Sequence, residues 1–191
     1  MKKEETVITL KNGGMHNQPK YKLMKEMIDN NKFKEARLYH LILTGATDPA
    51  VYRATWKTVV EKLRDNGMPC QWHSCIERDE DKDIDGKGLH MHIFMLIECK
   101  DQNPCRRFLN HRSNSKIEPI MERNGVKFYI APPRSSIHRT KRKQRQLRYA
   151  TLGSKEKIAD CKVWISYLVK NRSKVAGMRN IYSASRDRSS T

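Results

Sequence analysis

The chain of 191 residues carries 39 lysines and arginines against 21 aspartates and glutamates, a formal net charge of +18. That length suits one domain with tails, and the charge favours a polyanionic partner, nucleic acid above all, because neutralised phosphates release counterions. No apolar run reaches the roughly 18–20 residues that span a bilayer, the N-terminus lacks a signal-peptide core, and five cysteines without scaffold spacing suggest reduced thiols in a cytoplasmic setting.

Residues 1–37 read as a polar leader with a short helix around Lys20–Ile28. The folded part is expected to span 38–171, opening on the apolar stretch Leu38–Thr44, of strand length and closed by Gly45. Asp48 then offers an N-cap with Pro49 at the first helical position. Val51, Trp56, Val59, Val60 and Leu63 recur at roughly helical spacing, and Gly67 is placed to end that helix. A second strand follows over Cys70–Arg78, with Gln71, His73, Cys75 and Glu77 on one face. The acidic DEDKDIDGKG segment makes a hairpin loop, and the strand Leu89–Ile97 runs back from it. This order predicts an antiparallel pair inside an α+β sandwich; we further expect a central antiparallel sheet with helices packed on one face and the functional groups on the other. Further on, Cys105–Arg112 reads as a helix and Val126–Ile130 as a strand ended by Pro132-Pro133. Arg134–Arg148 holds seven lysines and arginines and no acid, and is expected to track a phosphate backbone through Arg134, Arg139, Lys141, Arg142, Lys143, Arg145 and Arg148. A last helix is predicted near Ser154–Asn171, with Ser154 as N-cap and Ile158, Cys161, Ile165 and Leu168 as its apolar stripe. Residues 172–191 read as a basic, frayed tail.

The chemistry centres on His90 and His92. Strand side chains alternate faces, so the two imidazoles point the same way while Leu89, Met91, Ile93, Met95 and Ile97 line the opposite, core-facing side. Two imidazoles on a stiff strand are two legs of a divalent-metal site. Glu77 on the neighbouring strand can complete the set, with His73 on the same face as its rival. Two imidazoles and a carboxylate leave positions open for water and a phosphate oxygen, and suit manganese or magnesium. On the last helix, Tyr167 and Lys170 lie three residues apart, which places phenol and ammonium on neighbouring positions. A nearby cation favours the phenolate of a group whose ordinary pKa is about 10. Groupings of Cys70, His73 and Cys75, or of Cys99, Cys105 and His111, lack the paired spacing of a zinc ribbon.

The segment LHMHIF at Leu89–Phe94 resembles the paired-histidine motif of the HUH endonucleases, which comprise rolling-circle replication initiators, relaxases and related transposases. YLVK at Tyr167–Lys170 resembles the initiators' tyrosine motif, and YHLILTG at Tyr39–Gly45 their first, strand-forming motif. Order and spacing agree over roughly Leu38 to Asn171. The resemblance implies an RRM-like, ferredoxin-like α+β core and a single-tyrosine nuclease acting on single-stranded origin DNA. It further implies His90, His92 and Glu77 as ligands of magnesium or manganese, Tyr167 as nucleophile and Lys170 as its positioning cation. The product would be a 5′-phosphotyrosine and a free 3′-OH that a host polymerase, with a host helicase, extends. No second tyrosine stands at helical spacing from Tyr167, unlike the two-tyrosine phage initiators, and no Walker glycine loop signals a fused helicase. The competing expectation is a non-catalytic RNA-recognition-like protein, although Leu89–Ile97 offers Phe94 alone where a stacking pair is expected.

Overall fold

The computed structural model describes residues 7–9, 15–78, 88–98, 108–109, 115–133, 135, 147–169 and 182–185. The chain begins with a two-stranded antiparallel ribbon, β1 (Val7–Thr9) and β2 (Met15–Asn17), which leads into α1 (Gln18–Asp29). Strand β3 (Ala36–Thr44) is followed by α2 (Pro49–Asp65), then by β4 (Cys70–Arg78) and β5 (Leu89–Glu98). Next come α3 (Glu118–Arg123), β6 (Lys127–Ala131), β7 (Ala150–Thr151) and α4 (Lys155–Ile165). A 3₁₀ turn over Ser166–Val169 and the short strand β8 (Tyr182–Ala184) complete it. Among these described residues no helix is long and apolar enough to cross a membrane.

The main sheet is six-stranded and antiparallel, in the order β6-β3-β5-β4-β8, with β7 also on β3. Strands β6 and β7 share one edge of β3: β6 pairs with His40–Thr44 and β7 with Arg37–Leu38. The α+β class, the antiparallel sheet and the β4–β5 pairing are therefore as the sequence predicts, while the expected hairpin loop DEDKDIDGKG lies, except for Gly88, outside the described residues. Helix α2 starts as its residues dictate, with the Asp48 carboxylate accepting from the Ala50 N–H at 2.8 Å and Pro49 in the first turn. It stops at Gly67, whose φ of 67° suits the left-handed position that follows a helix.

Alternation along the strands makes two cores. On one face Tyr52, Trp56, Val59, Val60 and Leu63 of α2 pack over Leu41, Leu43, Ile76, Met91, Ile93 and Met95. On the other, Met24, Met27 and Ile28 of α1 and Cys161 and Ile165 of α4 cover Leu38, Cys75, Phe94 and Leu96. Burying each such side chain contributes about 1.5–3 kcal/mol, which makes these layers the main source of stability. Helices thus lie on both faces, which corrects the expected division into a helical face and a catalytic face. The reason is in β5 itself: beyond His90 and His92 its second face turns apolar, at Phe94 and Leu96, and needs cover.

Two expected boundaries also move. The second half of the anticipated leader is α1, which belongs to the folded body because it buries Met24 and Ile28 to 1% and 2% exposure. Its Asp29 pairs with Lys162 of α4, and its Tyr21 hydroxyl donates to the Lys162 carbonyl at 3.2 Å. Within the anticipated tail, Tyr182–Ala184 pairs with β4, and the Ser185 N–H donates to the Trp72 carbonyl at 2.9 Å.

Candidate metal centre

Strand β5 is the middle strand of the sheet, flanked by β3 and β4 along its length. Glu77 is paired directly with His90 across β4–β5, and paired residues of antiparallel strands project to the same side. The Glu77 carboxylate oxygen Oε2 lies 3.9 Å from His90 Nε2 and 3.6 Å from His92 Nε2. One donor atom from each residue falls within 4.8 Å of the others. Donors held about 2.1 Å from a shared ion stand roughly 3–4.2 Å apart, so these separations suit a common cation better than direct hydrogen bonds.

The environment gives the same answer. Glu77 is 1% and His92 4% exposed, while His90 keeps 20% of its side chain open to solvent. An ionised carboxylate at that depth costs several kcal/mol unless a positive charge compensates it. The outer nitrogens are anchored: His90 Nδ1 stands 2.9 Å from the Gly88 carbonyl, and His92 Nδ1 stands 2.9 Å from His40 Nε2. A hydrogen on each Nδ1 leaves both Nε2 lone pairs directed at the carboxylate side, which is how imidazoles are fixed for ligation. The Tyr52 hydroxyl steadies this end of β5 by donating to the Leu89 carbonyl at 2.8 Å while accepting from the Ala46 N–H at 3.1 Å. The cluster Glu77, His90 and His92 can therefore hold a metal ion.

Helix α4 and the 3₁₀ turn bring a phenol to this cluster. The Ser154 hydroxyl caps α4 by accepting from the Lys157 N–H at 3.2 Å. At Ser166 the helix tightens, so Tyr167 sits in a 3₁₀ turn with buried Leu168 and Val169 beyond it, not in the long α-helix expected. The half-buried Tyr167 ring meets the His92 ring edge-on, centroids 5.2 Å apart, and lies 6.0 Å from His40. His40 in turn stacks on Phe94 at 4.2 Å, with Trp164 against the edges of both.

No protein-family model, curated protein or solved structure matches the chain.

The other expected site residues divide. His73, the rival third ligand, stands four residues along β4 from Glu77, roughly 13 Å at strand rise, and faces Phe94 and Ala184. Burial, with the Lys20 ammonium adding to it, lowers its pKa to about 4. Lys170, Arg134, Arg139, Lys141, Arg142, Lys143 and Arg145 lie outside the described residues, as does most of Cys105–Arg112. Arg148 is exposed beside β7, at the end of the sheet away from the metal cluster. The neighbouring Tyr149 ring carries the Arg37 guanidinium at 4.6 Å. His40 is the site residue that sequence reasoning missed. Its position in YHLILTG was visible, but only the β3–β5 register reveals that it meets His92.

Proposed function

We propose that the protein is a metal-dependent endonuclease of the HUH type that nicks single-stranded DNA and forms a covalent link through Tyr167. The observation carrying this reading is the convergence of three distant segments. A tyrosine ring lies 5.2 Å from the ring of His92, which shares a potential metal site with a second histidine, His90, and the buried Glu77 carboxylate. Magnesium or manganese suits a two-imidazole, one-carboxylate set that leaves positions for water and a phosphate oxygen. Such an ion would supply Lewis-acid polarisation of the scissile phosphate.

The chain's own residues account for the remainder. Tyr167 Oη forms a bond to phosphorus as the bond to the 3′ oxygen breaks, leaving a 5′-phosphotyrosine and a free 3′-OH that takes up the phenolic proton. Reversal of the same step joins strands, so one site serves initiation and termination of rolling-circle replication, or the transfer step of a relaxase or transposase. Two other described tyrosines are poor candidates for this role: burial pushes the Tyr39 phenol up to about 12, and the Tyr52 hydroxyl is committed to backbone groups. Lys170 is assigned the stabilisation of phenolate or phosphate charge.

Denaturing electrophoresis after incubation with labelled single-stranded origin candidates and manganese tests the reading. A covalent protein–DNA band that disappears with chelator, with Tyr167→Phe and with the His90→Ala/His92→Ala pair is expected. A band that persists in Tyr167→Phe, or whose DNA maps to Tyr149 or Tyr182, overturns the assignment. Tight binding without any covalent product favours the non-catalytic nucleic-acid-binding protein.

A further inference from the structure

The sheet face that carries the metal cluster is not wholly covered by α1 and α4. Register extends the histidine rows outward across β3 to the edge strand β6: His92 is paired with Ile42 and Ile42 with Tyr129, while His90 is paired with Thr44 and Thr44 with Lys127. Paired side chains share a face, so all four added residues lie on the cluster's side of the sheet. The intervening residues agree, since Phe128 and Ile130 of β6 pack into the opposite core. Thr44 and Lys127 are exposed, Ile42 is half-buried, and Tyr129 is 51% exposed. Among the described residues Tyr129 is the exposed aromatic ring, the other exposed large hydrophobics being Leu23 and Val163.

We infer that this strip is the seat of the single strand, with Tyr129 stacking a base and Lys127 contacting a phosphate next to the one held at the metal cluster. The inference rests on the proposed nicking activity for its position, and on local chemistry for its occupant. Strands are about 4.8 Å apart, so Tyr129 stands roughly 10 Å from the His92 row, a short reach for a polynucleotide already anchored there. A half-exposed ring beside an ammonium suits a ligand that alternates flat apolar faces with negative charge. The chain's net charge of +18 suits the same polyanion. Every base offers a π-face, so the platform would tolerate sequence and leave selection to other contacts.

Fluorescence anisotropy with labelled oligothymidylate, in chelator and in a Tyr167→Phe background, separates binding from nicking. Removing one base–aromatic stack weakens binding about 5- to 150-fold. Tyr129→Ala is expected to fall in that range, Tyr129→Trp to restore affinity, and Lys127→Ala to reduce the slope of log K against log salt by roughly 0.7. Thermal melts of each variant report any cost in folding separately from the change in binding. Unchanged affinity in Tyr129→Ala overturns the inference and leaves covalent adduct formation by the parent chain untouched. Equal losses for single strand and duplex also overturn it, since a stacking platform requires an unpaired base. A Tyr129-dependent preference for oligouridylate keeps the surface, assigns it RNA and counts against the DNA-nicking reading alone.

Discussion

The ring nitrogens of His40 and His92 stand 2.9 Å apart, and one placement of hydrogens leaves His92 a lone pair for an ion: its Nδ1–H donates and His40 Nε2 accepts. His40→Ala should therefore weaken manganese binding about 10- to 100-fold by calorimetry, and His40→Gln, whose amide oxygen can accept the same hydrogen, should recover part of it. Equal affinities in all three chains would reduce His40 to a packing residue on Phe94. His73 carries a different expectation. Its folded pKa is lowered to about 4 by burial and then by Lys20, against 6.5 when unfolded, so between those values the unfolded chain binds more protons. Stability should fall as pH drops through that window, by at most about 3 kcal/mol. Urea midpoints followed from pH 7 to 4 should flatten in His73→Gln; parallel curves would show that another group is responsible. The two histidines of β5 were legible because period-2 alternation needs no tertiary information. His40 was not, because its role depends on pairing with a residue 52 positions away.

Gly45 shows how an element boundary serves the site. It follows β3 directly with a φ of 101°, and a Cβ there would lie 2.8 Å from the Gly125 carbonyl oxygen. Gly45→Ala should cost about 2 kcal/mol, from positive φ and from a clash with backbone that cannot move aside cheaply. The effect would register as a lower chemical-denaturation midpoint, and a stability equal to the parent's would contradict the close approach. The central strands and α2 were readable from local pattern: alternating apolar residues, an Asp48-Pro49 start and a Gly67 stop. Helix α1 was readable as a helix but not as core, because Met24, Met27 and Ile28 sit among lysines that lower the segment's mean hydropathy. Strand β8 spans three residues and has no periodicity of its own, so only pairing with β4 defines it.

For the molecule as a whole, the proposed reading and a net charge of +18 together predict that salt is the main control of nucleic-acid affinity. Neutralising Lys141, Arg142, Lys143 and Arg145 should remove roughly 0.7 from the single-strand salt slope for each phosphate that the chain no longer neutralises, measured by anisotropy titration. An unaltered slope would show that this stretch stays in solvent. Affinity and chemistry should also separate: under the proposed reading the His90→Ala/His92→Ala chain is expected to lose cleavage but keep most binding, because binding rests on phosphate contacts. One further consequence follows from Glu77 and His90 being direct partners on adjacent strands. Sliding β4 by a single residue against β5 would turn Glu77 to the other side of the sheet and scatter the donors. An ion bound there would act as a proofreader of strand pairing, rewarding the native register and no other. Manganese at about 100 times its Kd should add roughly 2.7 kcal/mol, which raises the melting temperature by about 5–10 °C, and Glu77→Gln should abolish that gain.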